Sequence, residues 1–374
     1  MSRETSSGFD VVIVGGGLMG SLSALRLADA GRRVLVLEKA VPGAEASSAA
    51  AGILAGQSES KSDGPLFEIA VESRERYVAL AAELRERVGM DVGFRRCGVL
   101  EVAETEKDLE ELERTFAWQR AKGHRVERVE GASLRAIEPQ LNPGFAGAIA
   151  LPDDGQVDPP TLVAAIAQAA ERAGATFRAG TTVRSIIVEN GVARGVEVED
   201  GRIEAGHVVL AAGAWSSLVQ GATVASSAVK PARGQIIELS LRTPPFKSIV
   251  FGRGGYAVPR PDGRVLCGST LEFVGFQKDV TVAGLAKILT MITGIAPSLA
   301  DAKVNRTWSN FRPFSADGAA LVGDAGIANL TLATGHHRSG ILLAPATAER
   351  VRAHVIDGVV DASSPWSPSR RARS

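Results

Sequence analysis

The first part of the chain alternates short apolar runs with one helical pattern. Phe9 to Val14 and Val34 to Leu37 are almost wholly apolar, which is typical of strands buried on both faces of a parallel sheet. Between them, Leu18, Leu22 and Leu25 recur at the spacing of one helical face. Strand, helix and strand in this order predict a βαβ unit, whose two strands lie parallel in one sheet.

Further helices and strands follow in the middle of the chain. Charged helical patterns predict solvent-facing helices over Leu66–Arg87 and Lys107–Lys122, and no residue in them indicates chemistry. The same criteria predict a strand at Gly98–Ala103, a helix at Pro159–Ala173, and strands at Thr182–Glu189, Ala193–Val198 and His207–Ala211.

The last part of the chain shows two different patterns. Between about residues 225 and 306, short β segments such as Tyr256–Pro259 and Val265–Cys267 alternate with Pro and Gly turns, which predicts a sheet-rich second domain. Leu330 to Leu332 then predicts a strand, Gly335 to Gly340 a loop and Ile341 to Ile356 a helix. The arrangement of strand, glycine-containing loop and helix therefore recurs.

The length and order of these elements favour two domains. The chain has 374 residues, more than one hydrophobic core usually organises. We expect an α/β fold with a dinucleotide-binding, Rossmann-like domain and a second domain rich in antiparallel sheet. The predicted first domain is discontinuous and comprises residues 1–80, 145–222 and 312–374, and the second comprises residues 81–144 and 223–311. We expect the two domains to share one cleft.

Charge and composition exclude several classes of function. Lys+Arg and Asp+Glu both number 42, so the chain lacks the broad positive field that nonspecific nucleic-acid binding requires, and a small-molecule substrate is favoured. The two cysteines, Cys97 and Cys267, form no CxxC pair and no disulfide framework, which favours a reducing cytoplasm. The histidines show no metal-binding spacing, so no metal is expected. The polar leader Met1–Gly8 and the short apolar run after it predict neither export nor a membrane span.

The glycine-rich loop after the first strand indicates nucleotide binding. Gly15, Gly17 and Gly20 follow the GxGxxG spacing and open a helix, whose free N–H groups and positive dipole end bind a pyrophosphate. Glu38 ends the second strand, where a carboxylate accepts hydrogen bonds from the ribose hydroxyls. This pattern predicts an ADP-containing cofactor with an unmodified ribose, and it leaves NAD and FAD open.

A second glycine-containing segment has no single interpretation from composition. Residues Gly43 to Gly56 are dense in Ala, Ser and Gly, which is typical either of a flexible linker or of a loop whose backbone approaches a ligand closely.

Four motifs occur in order along nearly the whole chain. They are Gly15–Gly20, Ser47–Gly52, Ala211–Trp215 and, as the most specific, Gly335–Pro345. Together they resemble the FAD-dependent D-amino acid oxidase superfamily and, within it, the glycine oxidases. The resemblance implies that the first domain binds FAD without a covalent bond and that the second domain binds the substrate. Neither cysteine lies near Arg312, the segment where related sarcosine oxidases attach their flavin.

The resemblance also implies a set of cofactor contacts, carried over position by position. The expected contacts are Gly15, Gly17, Leu18, Met19 and Gly20 at the first loop, Glu38 and Lys39 at the ribose, Ala46, Ser47, Ala51, Gly52 and Ile53 along the cofactor, Val183 beside the adenine, and His336, His337, Arg338, Ser339, Gly340, Ile341 and Leu342 under the flavin. The helix that begins near Ile341 would direct its positive end at the flavin pyrimidine ring, where reduced flavin carries negative charge.

The resemblance names three catalytic residues and one residue of the substrate pocket. Arg312 is expected to bind the substrate carboxylate through two parallel hydrogen bonds, Tyr256 to donate its hydroxyl to the same group, and Arg338 to lie near the flavin. Leu271 stands where glycine oxidases can have a methionine lining the pocket, and His337 replaces a larger apolar or aromatic residue. These two departures affect substrate size, not the class of reaction.

The implied activity is oxidation of glycine, sarcosine and small D-amino acids by molecular oxygen. The imine product would hydrolyse to a 2-oxo acid and ammonia or enter thiamine thiazole synthesis, and hydrogen peroxide would form. The resemblance further implies a homo-oligomer, with a tetramer as one form. Two alternatives stay open at this point: a flavin dehydrogenase that reduces a quinone or a partner subunit, and a nucleotide-binding protein without catalysis. A role of His336 or His337 as general base stays open beside a hydrogen-bonding role in the loop.

Overall fold

A computed structural model of the protein describes residues 8–373 except residues 61, 223, 226 and 244. Of the polar leader, all but Gly8 lies outside the described residues. The helices of the described chain are α1 (Leu18–Asp29), α2 (Ala46–Ala49), α3 (Pro65–Val88), α4 (Glu106–Ala121), α5 (Gly131–Ile137), α6 (Pro159–Arg172), α7 (Val282–Ile295) and α8 (Gly340–Asp357), with short 3-10 helices at Gly213–Leu218, Pro297–Asp301 and Pro368–Arg373.

The strands belong to two large sheets and one two-stranded ribbon. They are β1 (Phe9–Val14), β2 (Val34–Leu37), β3 (Ile53–Leu54), β4 (Val99–Ala103), β5 (Glu127–Glu130), β6 (Gly147–Leu151), β7 (Gly155–Gln156), β8 (Thr176–Arg178), β9 (Ser185–Glu189), β10 (Val192–Val198), β11 (Gly201–Leu210), β12 (Val229–Ser240), β13 (Ile249–Gly252), β14 (Gly255–Pro259), β15 (Arg264–Gly268), β16 (Lys303–Ser315), β17 (Leu321–Asp324) and β18 (Leu330–Thr334).

The first sheet contains the βαβ unit that the sequence predicts. Its main path runs β17-β18-β11-β1-β2-β8, and all neighbours on this path are parallel except β17 and β18. β1 pairs in register with β2, so that Val12 lies opposite Leu35. The antiparallel strands β9 and β10 extend from β11 on one side. The α/β fold expected from the order of the elements is confirmed.

Four helices cover one face of the first sheet. α1, α3, α6 and α8 pack against one another and against the sheet to form a continuous apolar core. The sequence predicts α3 as a solvent-facing helix, but the structure buries one side of it, including Phe67, Tyr77 and Leu84. Many charged residues lie on the other side of α3. Because of them, the overall composition of the helix predicted a solvent-facing helix and did not indicate its buried face.

The second sheet is mostly antiparallel and runs β16-β12-β15-β14-β13-β4-β6-β5. The expectation of short β segments between residues 225 and 306 is wrong in two respects. β12 and β16 are long strands, and residues Val282–Ile295 form the helix α7. α7 packs on one face of the sheet through Ile288, Met291 and Ile292. The opposite face contributes Tyr256 and Ile236 to a cavity described below.

The two sheets support the proposed division into two domains, with one change. The sequence places residues 145–222 in the first domain, but β6 pairs with β4 and β5 in the second sheet. We therefore propose that the first segment of the second domain extends to about residue 152. Within the described residues, no helix is long and apolar enough to cross a bilayer.

Candidate functional site

A cavity of about 590 Å³ opens at the carboxyl ends of the parallel strands. Val14, Leu37, Ala211 and Thr334, at the ends of β1, β2, β11 and β18, line one side of it. The other side is lined by the second sheet, through residues such as Arg312. Ligands of open α/β sheets bind in this position, because the loops after the strands diverge there and leave a crevice.

The glycine-rich loop forms one end of the cavity. Gly15, Gly17, Leu18 and Met19 line it, whereas Gly20 does not. Gly15 has a φ of 105°, and a Cβ atom there would lie 2.5 Å from the carbonyl oxygen of Ala211. Gly20 serves packing instead, because a Cβ atom at this position would lie 1.9 Å from the carbonyl oxygen of Gly15. The loop can therefore approach a ligand only with these glycines.

The acidic residue after β2 is fixed by the backbone around it. The Glu38 carboxylate accepts a hydrogen bond from the Gly16 N–H at 2.8 Å and another from the Ala40 N–H at 3.0 Å. Lys39 also lines the cavity, with its Nζ 3.4 Å from the centroid of the Trp215 ring. Both residues expected at the ribose thus lie at the same end of the cavity as the glycine-rich loop.

The small-residue segment is a wall of the cavity and not a linker. Ala46, Ser47, Ala51, Gly52 and Ile53 all line it. The Ser47 hydroxyl accepts a hydrogen bond from the Leu18 N–H at 2.9 Å, which joins the segment to the start of α1. Gly52 has a φ of 78°, and a Cβ atom there would lie 2.1 Å from a backbone oxygen.

A buried arginine connects this wall to the second sheet. The guanidinium of Arg260 donates to the carbonyl oxygens of Ala51 and Val157, each at 2.8 Å. Arg260 is 4% exposed, and its burial lowers its pKa to about 10. Val183 lines the cavity together with its chain neighbours Thr181 and Thr182.

The loop before α8 forms another part of the cavity wall, and a Cβ atom at Gly340 would lie 3.8 Å from Cε of Met19. His336, His337, Arg338, Gly340 and Ile341 line it, as the resemblance implies. Two further residues expected here do not line the cavity. Ser339 is the N-cap of α8, and Leu342 is buried in the first core.

His337 has two unusual features. Its φ of 47° is left-handed, which is uncommon for a residue other than glycine, and its buried Nε2 has no hydrogen-bond partner in the described structure. Burial, together with the nearby charges of Arg312 and Arg338, lowers the pKa of His337 to about 4. His337 is therefore a neutral imidazole near both arginines.

Arg312, Tyr256 and Ser269 form a polar cluster on the face of the second sheet. The Arg312 guanidinium donates to the Ser269 hydroxyl at 2.6 Å and to the Thr270 carbonyl oxygen at 3.2 Å. Tyr256 is 7% exposed, and burial raises the pKa of its hydroxyl although the Arg312 charge opposes this shift. The tyrosine therefore stays protonated as a donor beside a fixed cation. Ser269 was not indicated by the sequence patterns, because it is a common residue with no motif around it.

Arg338 lies at the mouth of the cavity and has an acidic partner. Its guanidinium is 3.2 Å from the Glu59 carboxylate, and its side chain is 51% exposed. Glu59 lines the cavity as well. Glu59 was also missed by the sequence patterns, since the two residues are far apart in the chain. Arg338 is thus less fixed than Arg312 before a ligand binds.

Leu271 does not occupy the position expected from the sequence. It does not line the cavity, and its side chain is 49% exposed. β15 ends at Gly268, so the alternation of side chains along that strand does not extend to residue 271. The expected role of Leu271 in the substrate pocket is therefore corrected, and Ser269 provides the pocket surface in this segment.

The cavity residues fit an extended ligand with an anionic centre and an electron-rich ring. Both α1 and α8 begin at the cavity, the N-cap residue of neither helix caps it with a side-chain hydrogen bond, and neither helix has an acidic residue in its first turn. Their free N–H groups and positive dipole ends favour negative charge at two places. FAD presents such charge at its pyrophosphate and, when reduced, at its flavin. The described residues contain no cluster of His, Cys, Asp and Glu that could hold a metal ion.

The position of Arg312 depends on a glycine in the neighbouring strand. Gly234 lies opposite Asn310 in the pairing of β12 and β16, and a Cβ atom there would lie 2.2 Å from Nη1 of Arg312. We expect Gly234→Ala to displace the guanidinium and to raise KM for a carboxylate substrate about 10- to 100-fold, since small displacements of a binding group have effects of this size. Steady-state kinetics would measure this. The same change combined with Arg312→Ala should produce no further loss, and a second loss of similar size would contradict the assignment.

His336 should make the protein less stable in acid. It is 4% exposed, its Nε2 is 2.8 Å from the Thr347 hydroxyl, and burial lowers its pKa to about 3. The unfolded chain takes up a proton near pH 6.5, before the folded chain does, so this residue reduces the free energy of unfolding as the pH falls from about 6.5 to about 3. The slope is about 1.4 kcal/mol per pH unit for one histidine. Urea unfolding of His336→Gln between about pH 7 and about pH 5 should show a shallower loss. Equal slopes for the two proteins would refute this.

Comparisons with known proteins identify the family of the chain. A family model described as DAO, FAD dependent oxidoreductase, matches residues 10–353. Glycine oxidase of Geobacillus kaustophilus is 36% identical over 342 residues, which are 91% of this chain and 90% of that protein. The bifunctional protein ThiO/ThiG of Trichormus variabilis is 33% identical over 361 residues, which are 93% of this chain and 53% of that protein.

Solved structures show the same fold. The crystal structure of glycine oxidase from Geobacillus kaustophilus superposes with a TM-score of 0.91 and covers 97% of this chain and 98% of that one. Glycine oxidase from Bacillus cereus has a TM-score of 0.89 at 33% identity, with 94% of this chain and 96% of that one covered. FAD is accordingly the cofactor of this fold. The chain belongs to the DAO family of FAD-dependent oxidoreductases and is similar to glycine oxidases over nearly its whole length.

Proposed function

We propose that the protein oxidises glycine and other small amines, such as sarcosine and small D-amino acids, with molecular oxygen as the electron acceptor. The cluster of Arg312, Tyr256 and Ser269 carries this proposal, because it presents a fixed cation and a hydroxyl donor inside the same cavity as the cofactor-binding loops. A carboxylate-bearing substrate satisfies both groups. The names of the glycine oxidases among the relatives support the same substrate class.

The carboxylate of the substrate would bind to Arg312 and Tyr256. A guanidinium forms two parallel hydrogen bonds to a carboxylate, which fixes its orientation as well as its position. The bond from Arg312 to Ser269 holds the guanidinium before the substrate arrives, so little conformational entropy is lost on binding. The substrate Cα would then face the end of the cavity formed by the loop before α8. Positioning of this kind supplies a large part of the rate.

Bound FAD would supply two-electron oxidation, with the substrate Cα–H as hydride donor and molecular oxygen as the final acceptor, which is reduced to hydrogen peroxide. The chain's residues need not remove a proton from carbon. His336 is not suited to that task, because its Nε2 is hydrogen-bonded to Thr347 in the core. We propose a binding or hydrogen-bonding role for His337, whose neutral ring lines the cavity. The N-terminus of α8 would stabilise the negative charge of the reduced cofactor.

The other cofactor contacts predicted from the sequence are retained as proposals with two adjustments. Gly20 and Ser339 act through the shape of the loops and not through the cavity surface, and Leu342 acts through the core. The remaining expected contacts all line the cavity. Arg338, which is paired with Glu59, would bind substrate only after it leaves that partner.

We further propose that the imine product serves thiamine thiazole synthesis, with hydrolysis to a 2-oxo acid and ammonia as the competing fate. Relatives named ThiO/ThiG support this, although the chain spans about half the length of those proteins. We also propose a homo-oligomer in a reducing cytoplasm. Cys97 and Cys267 are both free thiols, which is typical of such a compartment. Light scattering coupled to gel filtration would measure the oligomeric state.

A peroxide-coupled screen of the purified yellow protein tests the proposed activity. The substrates are glycine, sarcosine, D-alanine, D-proline and a set of L-amino acids, and oxygen uptake is followed in parallel. We expect peroxide and oxygen uptake with glycine or another small amine and little with large L-amino acids. A protein whose flavin is reduced by these amines but that consumes oxygen only with an added artificial acceptor would be a dehydrogenase. A flavin that no amine bleaches would refute catalysis on this substrate class.

A further inference from the structure

Helix α8 begins at the part of the cavity wall where the flavin is expected, and it contains a proline close to its first turn. Pro345 lies inside α8, which starts at Gly340. A proline has no N–H group, so the carbonyl oxygen of Ile341, four residues earlier, lacks its usual helical donor. Pro345 and Ile341 are both buried, which leaves no water to replace that donor. An unpaired buried carbonyl reduces stability by about 1 to 3 kcal/mol.

A tyrosine from α3 supplies the missing hydrogen bond. The Tyr77 hydroxyl donates to the carbonyl oxygen of Ile341. Tyr77 is 0% exposed, and burial raises the pKa of its hydroxyl, so the group remains a donor at any physiological pH. Its ring also stacks on Phe94, with 6.5 Å between the ring centroids. The hydroxyl is thus directed at α8 by a ring that has its own packing.

Ser73, one turn before Tyr77 on α3, bridges the next carbonyl and N–H pair of α8. The Ser73 hydroxyl donates to the carbonyl oxygen of Leu342 at 2.7 Å and accepts from the Ala346 N–H at 3.2 Å. An uninterrupted helix would join that N–H directly to that carbonyl. Side chains inserted in this way accompany bends in helices. Two hydroxyl groups of α3 therefore complete the hydrogen bonds of the first turn of α8.

The hydrogen bond to the Ile341 carbonyl also fixes an N–H group in the first turn of α8. The peptide unit between Ile341 and Leu342 is planar, so the carbonyl held by Tyr77 determines the direction of the Leu342 N–H. This N–H is among the unpaired donors at the start of α8, where Gly340 and Ile341 line the cavity. The bond made by Tyr77 is therefore connected through one rigid unit to the positive end of the helix.

We propose that Tyr77 and Ser73 are positioning residues for the flavin. They hold the first turn of α8 so that its N–H groups stabilise the reduced cofactor, and this effect rests on the flavin position given under the proposed function. Neither residue touches the cavity. In their absence the first turn would loosen, the positive end would move away from the flavin, and reduced flavin would be less stable.

The test compares the flavin midpoint potential of four holoenzymes: wild type, Tyr77→Phe, Pro345→Ala and the double variant. Phenylalanine keeps the stacked ring and removes only the hydroxyl. Alanine at position 345 restores the N–H that an ordinary helix donates to Ile341. Ser23→Ala is a matched control, because Ser23 is a fully buried helical serine whose hydroxyl has no partner in the described structure. The potential is measured with reference dyes and an enzymatic reductant, without any amine substrate.

We expect Tyr77→Phe to lower the ratio of reduced to oxidised flavin about tenfold at a fixed potential, which is about 30 mV for two electrons. The double variant should return to within about twofold of wild type, as should Pro345→Ala and Ser23→Ala. An unchanged potential in Tyr77→Phe, or a double variant as low as Tyr77→Phe, would overturn the proposal. If Tyr77→Phe does not retain flavin, recovery of yellow holoenzyme in the double variant supports the proposal, and its failure refutes it. These results do not depend on which amine is the substrate.

Discussion

Arg312→Ala should lower kcat/KM for glycine about 100- to 1000-fold while FAD remains bound. The change would remove the two charge-assisted hydrogen bonds that we propose Arg312 makes to the substrate carboxylate, together about 3 to 4 kcal/mol. Arg312→Lys keeps the charge but loses the planar pair of donors, so we expect an intermediate loss of about tenfold or more. Steady-state oxygen uptake measures the kinetics, and flavin absorbance measures cofactor content.

A second arginine on the same strand provides the control for Arg312. Arg306 also lies in β16, but it is largely exposed and binds Glu238 at 2.8 Å outside the cavity. Arg306→Ala should leave kcat/KM within about twofold of wild type. For an amine substrate that lacks a carboxylate, wild type and Arg312→Ala should have similar values of kcat/KM. A carboxylate substrate whose KM is unaffected in Arg312→Ala would remove the basis of the proposed site.

Gly20→Ala should produce a protein that binds FAD at least about 100-fold more weakly, because overpacking distorts the loop before α1. The added Cβ would lie 1.9 Å from the carbonyl oxygen of Gly15, and neither backbone atom can move without disturbing β1 or α1. We expect the free energy of unfolding to fall by about 1 to 3 kcal/mol as well. Flavin content after gel filtration and urea unfolding of the apoprotein measure the two effects.

Gly8→Ala is the corresponding control at the start of the same βαβ unit. The nearest atom to a Cβ at Gly8 is 3.9 Å away, which is an ordinary contact. This variant should retain full flavin content and wild-type stability. Normal FAD binding in Gly20→Ala would show that the glycine is not needed for close packing, in conflict with the observed distance.

The elements with strong local patterns were predictable. β1, α1 and β2 were expected from apolar runs and one helical face, and they occur with nearly the expected bounds. The family resemblance added the cavity contacts, since it carries positions that are distant in the chain but adjacent in the fold. Where residues close in the sequence determine the environment of a segment, the local pattern and the family resemblance lead to the same prediction.

The segments that escaped prediction owe their structure to distant partners. α7 contains several β-branched residues, which favour strands, yet it is helical because it packs on the second sheet. Its N-cap, Thr281, accepts from the Gly284 N–H and was the available sequence indication. The buried side of α3 could not be recognised from the sequence, because Ser73 and Tyr77 make their hydrogen bonds to α8, which is distant in the chain. Glu59 and Leu271 show the same limit, since their positions depend on loops.

The strand order of the first sheet constrains how the protein can be made. β11 lies between β1 and β18, so the interior of the FAD-binding sheet has an open edge until residues 330–334 have joined it. During synthesis, an exposed strand edge and the uncovered apolar faces of α1 and α3 persist while the second sheet is being translated. A ribosome that stalls before β18 would therefore release a chain prone to aggregation and unable to retain flavin, even though the whole glycine-rich loop is already present.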